Sequence, residues 1–252
     1  MVRLPRLADA PFFYTMETIM NIKIQAAEEE LFGEWRKKYK ESGKTSFIKD
    51  GCPNPDVYVQ ETRKVVIVLK DGNMRKPDEG AENVHDQREE LGTLPDLDPW
   101  WSTIARWCYF LKNPSASWAL ATSVISDTSS IQTALSRHCI VQLKKEWGTG
   151  AISNDVLAKV VVDDKLEIRR QLAIYAPDFI IACGNGEHLA KVFNRDRTSR
   201  LETSAGVGYW KLSLNDEPTY LIDYCHPSAR VGTKIRGIVA KGLSSAIQEI
   251  EK

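Results

Sequence analysis

Several things this sequence lacks narrow what it does. The 252 residues carry 34 Lys+Arg against 34 Asp+Glu, so no charge of one sign is in excess. The simplest argument for a nucleic-acid partner, a basic chain, is therefore missing, and only local patches remain open. None of the five cysteines (Cys52, Cys108, Cys139, Cys183 and Cys225) belongs to a Cys-x-x-Cys pair. A zinc or iron–sulfur site is not indicated, and buried free thiols in a reducing compartment are expected. No run is long and apolar enough to cross a membrane. Residues Met1 to Ala10 hold charges and prolines but no apolar signal core, so an intracellular protein is expected. There is no internal repeat and no low-complexity tract. The balance of 42% hydrophobic and 27% charged residues suits an ordinary globular chain. A single domain over residues 1–252 is expected, with an N-terminal helical extension over about residues 1–45, and a monomer.

What is present is an alternation of strand and helix signals. From Thr18 to Lys40 apolar residues recur near helical spacing (Ile19, Ile22, Leu31, Trp35), with acids first and bases last, the order a helix dipole favours. Lys64 to Leu69 is a run of mostly β-branched residues, as in a strand buried on both faces. Residues 41–62 read as a polar connection and residues 75–99 as a polar loop. Trp100 to Leu111, Ser123 to Leu135 and Asp155 to Tyr175 have helical period. Arg137 to Leu143, Pro177 to Gly184 and Tyr220 to Tyr224 read as three more strands, with Tyr209 to Leu214 as a hairpin or edge strand beside the last. Glu187 to Phe193 opens a helix, and another helix follows Arg230. This pattern predicts an α/β fold, a three-layer α/β/α sandwich around a central, mainly parallel four-stranded sheet.

Open α/β sheets bind ligands beyond the carboxyl ends of their strands. Four such ends carry chemistry here: Asp71, Gln142, the Gly184 turn and His226. A carboxylate, an amide and an imidazole suit cleavage of a bond to a planar heterocycle. The carboxylate orients water and stabilises a developing oxocarbenium ion. The amide reads the edge of the ring, and the imidazole stabilises charge on the departing base. The other histidines, His85, His138 and His188, have no evident partners. His138 opens a buried strand, which suggests a structural role.

Three segments resemble the uracil-DNA glycosylase superfamily. Val65 to Asn73 is similar to its first motif, a strand ending in a water-activating residue. Pro177 to Gly184 looks like its Pro, strand, Gly segment. His226, Pro227 and Ser228, with Arg230 following, look like its His-Pro-Ser motif, closest to the branches with arginine at that point, the single-strand-selective enzymes among them. The sequence departs from the pattern at Leu69, where the family has glycine, at Gly72, where it has proline, and at Gln142, where it has a base-reading asparagine. The resemblance implies a monofunctional DNA glycosylase that flips a uracil-like or modified pyrimidine, in repair or in defence against modified foreign DNA. Asp71 and His226 would be catalytic. Gln142, Asn73 and Gly72 would bind the base, and Ser228, Arg230, Lys144 and Lys145 would contact DNA. No metal or organic cofactor is implied. Two alternatives stand beside it: a glycosylase fold that binds nucleic acid or a nucleotide without catalysis, and an unrelated flavodoxin-like hydrolase.

Overall fold

In the computed structural model the described residues are 16–71, 84–93, 99–147, 152–227 and 233–252. Helix α1 (Met16–Glu41) places Ile24, Leu31, Phe32, Trp35 and Tyr39 on one buried face, the three-to-four spacing of an amphipathic helix. Its aromatic rings meet Phe47 edge to face. Strand β1 (Phe47–Lys49) and the one-turn α2 (Pro55–Tyr58), capped by Asn54, follow. Next are β2 (Val65–Asp71), β3 (Val84–Asp86), α3 (Gln87–Thr93) and the aromatic α4 (Pro99–Lys112).

The span from 123 to 135, expected as one helix, is divided between α5 (Trp118–Val124) and α6 (Thr128–Leu135). Asp127 starts the second with a reciprocal capping box to Ser130, which satisfies amides that a continuous helix would not leave open. Strand β4 (Cys139–Lys144) comes next. The helix expected from 155 to 175 is likewise two, α7 (Asn154–Asp163) and α8 (Lys165–Tyr175). The break falls at Asp164, whose buried carboxylate accepts a hydrogen bond from the Tyr39 hydroxyl of α1 at 2.6 Å. Ala176, left-handed at φ 44°, and Pro177 end α8.

Strand β5 (Phe179–Cys183), α9 (Gly186–Val192), β6 (Leu201–Glu202), β7 (Gly208–Leu214), β8 (Glu217–Tyr224) and α10 (Thr233–Ile250) complete the chain. The sheet is mostly parallel, as expected, but has six strands rather than four, in the order β4-β2-β5-β8-β7-β6. The first four are parallel. The other two extend the sheet antiparallel, because Asn215 and Asp216, both at positive φ (52° and 66°), make a tight hairpin between β7 and β8.

Side chains of β2 alternate between two cores, Val66 and Val68 to one and Val65, Ile67 and Leu69 to the other. The first core also takes residues of α1, α7, α8 and α9. The second takes residues of α4, α6 and α10. A short parallel pair, β1 with β3, lies outside the main sheet, in segments that read as polar connections. Residues beside it cover the edge of β4: Gly51 and Ile140 exchange backbone hydrogen bonds at 2.7 Å, and Ile48 N donates to Lys145 O at 2.7 Å. That removes an exposed strand edge. All five thiols are free, and four are buried. Among the described residues no helix is long and apolar enough to cross a membrane.

Candidate active site at the carboxyl edge of the sheet

The chain passes from β2 to β4 on one side of β2, then returns to β5 on the other. The strand order therefore reverses between β2 and β5, and at such a point the loops part and leave a crevice at the carboxyl ends. The end of β2 carries Lys70 and Asp71. The end of β5 leads into Gly184 and Asn185, and the end of β8 leads through Cys225 to His226. With strands about 4.8 Å apart, the backbones at Asp71 and His226 stand on the order of 10 Å apart across β5.

Asp71 is half-buried. Burial raises its pKa, and the nearby Lys144 and Lys70 ammonium groups pull it back down. Its register partner on β4 is Lys144. Among the described residues no hydrogen bond or salt bridge closes on the Asp71 carboxylate. His226 is half-buried as well. Burial first, and the charge of Lys70 second, lower its pKa and favour the neutral imidazole. Gly184 sits between them at φ 72°, a conformation glycine adopts without strain. Its N–H donates to Tyr224 O at 2.7 Å and ties the ends of β5 and β8 together. Asn185 is buried, with Nδ2 donating to Val68 O at 3.3 Å and Oδ1 without a partner among the described residues. An unsatisfied buried acceptor at a strand end is costly unless something fills its place.

Gln142 stands opposite Leu69, on the same face as Asp71 and one pleat below it. Its side chain is wholly buried. Nε2 donates to Gln87 Oε1 at 3.2 Å, while Oε1 has no partner among the described residues. Gly72, Asn73, Ser228 and Arg230 lie outside the described residues.

Lys144 and Lys145, expected together as DNA contacts, part company. Lys144 is half-buried beside Asp71, with Nζ donating to Trp147 O at 3.3 Å. Lys145 is a correction: it is wholly buried, with Nζ 2.6 Å from both oxygens of Asp50 and over the ring of Trp35. Strand alternation sends the two lysines to opposite faces, so Lys145 reaches no phosphate. No known family model matches this chain, and no curated protein does.

Lys145 belongs to a buried polar network beneath α1. Asp50 also accepts from Gln171 Nε2 at 2.7 Å and from Gln142 N at 2.7 Å. Glu28 accepts from the Tyr175 hydroxyl at 2.8 Å, from Cys52 N at 3.0 Å and from Arg88 at 2.7 Å. Burial raises the pKa of Glu28 and lowers that of Lys145, against the pull of their partners. Gly51 is required here: at φ 122°, a Cβ would lie 2.2 Å from the Tyr175 hydroxyl.

Away from the carboxyl edge, a cavity of about 440 Å³ opens near the amino end of β4, with Cys108, Tyr109, Arg137 and His138 in its wall. None of the residues expected from sequence lies in it. Lys70 and Asn185 also stand at this edge, and neither was among the residues expected from sequence. Lys70 had a signal, since alternation at the end of β2 sends it to the face opposite Asp71. Among the described residues no cluster of three or more His, Cys, Asp or Glu is placed to hold a metal ion.

Proposed function

We propose that this protein is a monofunctional DNA glycosylase acting on a flipped, uracil-like or modified pyrimidine, in repair or in defence against modified foreign DNA. One observation carries the reading. A half-buried carboxylate with no ion pair among the described residues and a neutral-leaning imidazole stand on either side of the point where the strand order reverses. The similarity of the segments around Asp71, Gly184 and His226 to the glycosylase motifs supports it. In the reaction the base leaves the stack at a cost of a few kcal/mol. Asp71 positions water against C1′ and stabilises the oxocarbenium-like transition state. The C1′–N bond breaks with its electron pair going to the base, and His226 donates a hydrogen bond to the departing ring. Lys144, Ser228 and Arg230 hold the DNA backbone. Neither metal nor cofactor takes part, and the enzyme acts as a monomer inside the cell.

The test is release of an abasic site from duplex and single-stranded oligonucleotides carrying uracil, hydroxymethyluracil, hydroxymethylcytosine or glucosylated bases. Tight DNA binding with no release from any of them would remove the enzyme reading. It would favour the alternative of a catalytically inactive nucleic-acid or nucleotide binding protein. The Gln142 amide speaks for that alternative, because it is buried and engaged with Gln87 rather than open to a base.

A further inference from the structure

The residue with the widest reach at this edge is Lys70. Its neighbours on the same side of β2, Val66 and Val68, pack into the core under α1, so its side chain leaves the strand opposite Asp71 and crosses towards β5. A Cβ built on Gly184 would lie 3.5 Å from Lys70 Cε and 3.5 Å from His226 Cβ. The lysine stem and the histidine therefore flank the same glycine, no further apart than twice that distance. Gly184 itself is exposed, so the space above the pair is open. Among the described residues no carboxylate forms a salt bridge with the Lys70 ammonium. Its field is felt instead by Asp71, by His226 and by His188 of α9.

We propose that Lys70 is a further catalytic residue, whose ammonium, beside His226 and over Gly184, stabilises the negative charge that builds on the departing base. This inference rests on the glycosylase reading. The water oxygen forms the new bond to C1′ and gives its proton to the Asp71 carboxylate. The pair from the broken C1′–N bond leaves on the base as an anion, which takes a proton from solvent after release. Lys70 keeps its protons throughout. The arrangement divides the work: the imidazole, held towards neutrality, supplies a directional hydrogen bond, and the lysine supplies the charge. A fixed charge in a partly water-excluded site stabilises a developing anion far more than it would in bulk water.

The experiment compares the full-length protein with its Lys70→Met and Lys70→Arg variants. Single-turnover base release is followed on oligonucleotides carrying the base the wild type removes and a 5-fluoro analogue with a more acidic leaving group. Lys70→Met is expected to slow release of the natural base about 100-fold. Its loss on the 5-fluoro base should be clearly smaller, its DNA affinity should stay within a few-fold of wild type, and Lys70→Arg should recover most of the rate. In the free protein, Lys70→Met should raise the NMR-titrated pKa of both His226 and His188, since a neighbouring cation has been removed. A Lys70→Met variant as fast as wild type, or one slowed equally on both bases, overturns the inference and leaves the glycosylase reading standing. A borohydride-trapped adduct to Lys70 also overturns it, since the lysine would then be a nucleophile and the glycosylase bifunctional rather than monofunctional. If the wild type releases no base at all, the glycosylase reading fails and this inference fails with it.

Discussion

Lys144 and Lys145 are neighbours in sequence, yet they stand in two regions with opposite electrostatic logic. Under α1, Lys145 is sealed from water and every charge near it has a close partner: Asp50 for the lysine, Arg88 for Glu28. At the carboxyl edge, Lys70 and Lys144 lie close enough to pull down the pKa of Asp71 without forming an ion pair with it. A paired, buried network is a structural device, because its desolvation cost is met only by keeping all its members in place. Half-buried charges left without ion-pair partners among the described residues are what a site for a charged transition state requires, since their interactions are reserved for it. The difference marks which cluster to disturb for stability and which for chemistry.

The sharpest way to break the comparison is to remove one member of the buried pair. Asp50→Ala leaves the Lys145 ammonium, the Gln171 amide and the Gln142 N–H without their acceptor. It should cost about 3–5 kcal/mol of folding free energy and lower the melting temperature by on the order of 10 °C. The double variant Asp50→Leu with Lys145→Met should recover part of that loss. Chemical denaturation measures both, and an Asp50→Ala protein as stable as wild type would mean that this network is not structural.

Asp71→Asn should do the reverse. Base release should fall by about 100-fold or more, while the unfolding midpoint at neutral pH stays level or rises. The sign follows from the raised pKa: the fold disfavours the charged carboxyl, so a neutral amide relieves it. For the same reason the acid limb of the wild-type rate should lie at higher pH than an ordinary aspartate would give. Loss of stability together with rate would assign Asp71 to the structural class instead.

The strands that build the edge were readable because they are short apolar runs, β-branched in β2 and aromatic-rich in β8, and a parallel topology then carries Asp71 and His226 to one side of the sheet. The extra strands were only partly readable. Gly208 to Leu214 alternates as an edge strand should, but Leu201–Glu202 is too short to carry a period. The β1–β3 pair has no periodic signal either, because it is held by backbone bonds and buried charge. The burial of Lys145 was invisible, since its partner Asp50 lies 95 residues away in the chain. The helix break at Asp164 was hidden for the same kind of reason, its partner Tyr39 being 125 residues distant. Lys70 was missed because its role depends on Gly184 and His226, which only the folded sheet brings beside it.

A buried titratable group outside both clusters gives an intermediate effect. His138 is buried at the amino end of β4, in the wall of the cavity there, and its Nδ1 has no partner among the described residues. Burial, aided by the positive charges of Lys112 and Arg137, lowers its pKa from 6.5 to about 4, with Glu61 opposing. The unfolded chain takes up a proton near pH 6.5 while the folded one does not. The stability is therefore fully present above that pH and is lost as the pH falls towards 4, by about 3 kcal/mol in all. Urea midpoints between pH 7 and 4.5 should decline more steeply for the wild type than for His138→Gln. Parallel curves would show that the ring reaches water.

The smallest expected effect returns to the two lysines. If Lys144 faces the DNA backbone from beside Asp71, Lys144→Gln should weaken DNA binding only a few-fold and lower the slope of log Kd against log salt by about one. The melting temperature should not move, because a half-exposed lysine with one long hydrogen bond contributes little to the fold. Lys145→Gln should show the opposite pattern, a marked loss of stability with the salt slope of the remaining folded protein unchanged, because a side chain sealed beneath α1 displaces no counterions. Salt titrations of both variants by fluorescence anisotropy, read beside their melting curves, put the division to a direct test. A changed salt slope for Lys145→Gln, or an unchanged one for Lys144→Gln, would mean that the assignment of the two faces is wrong.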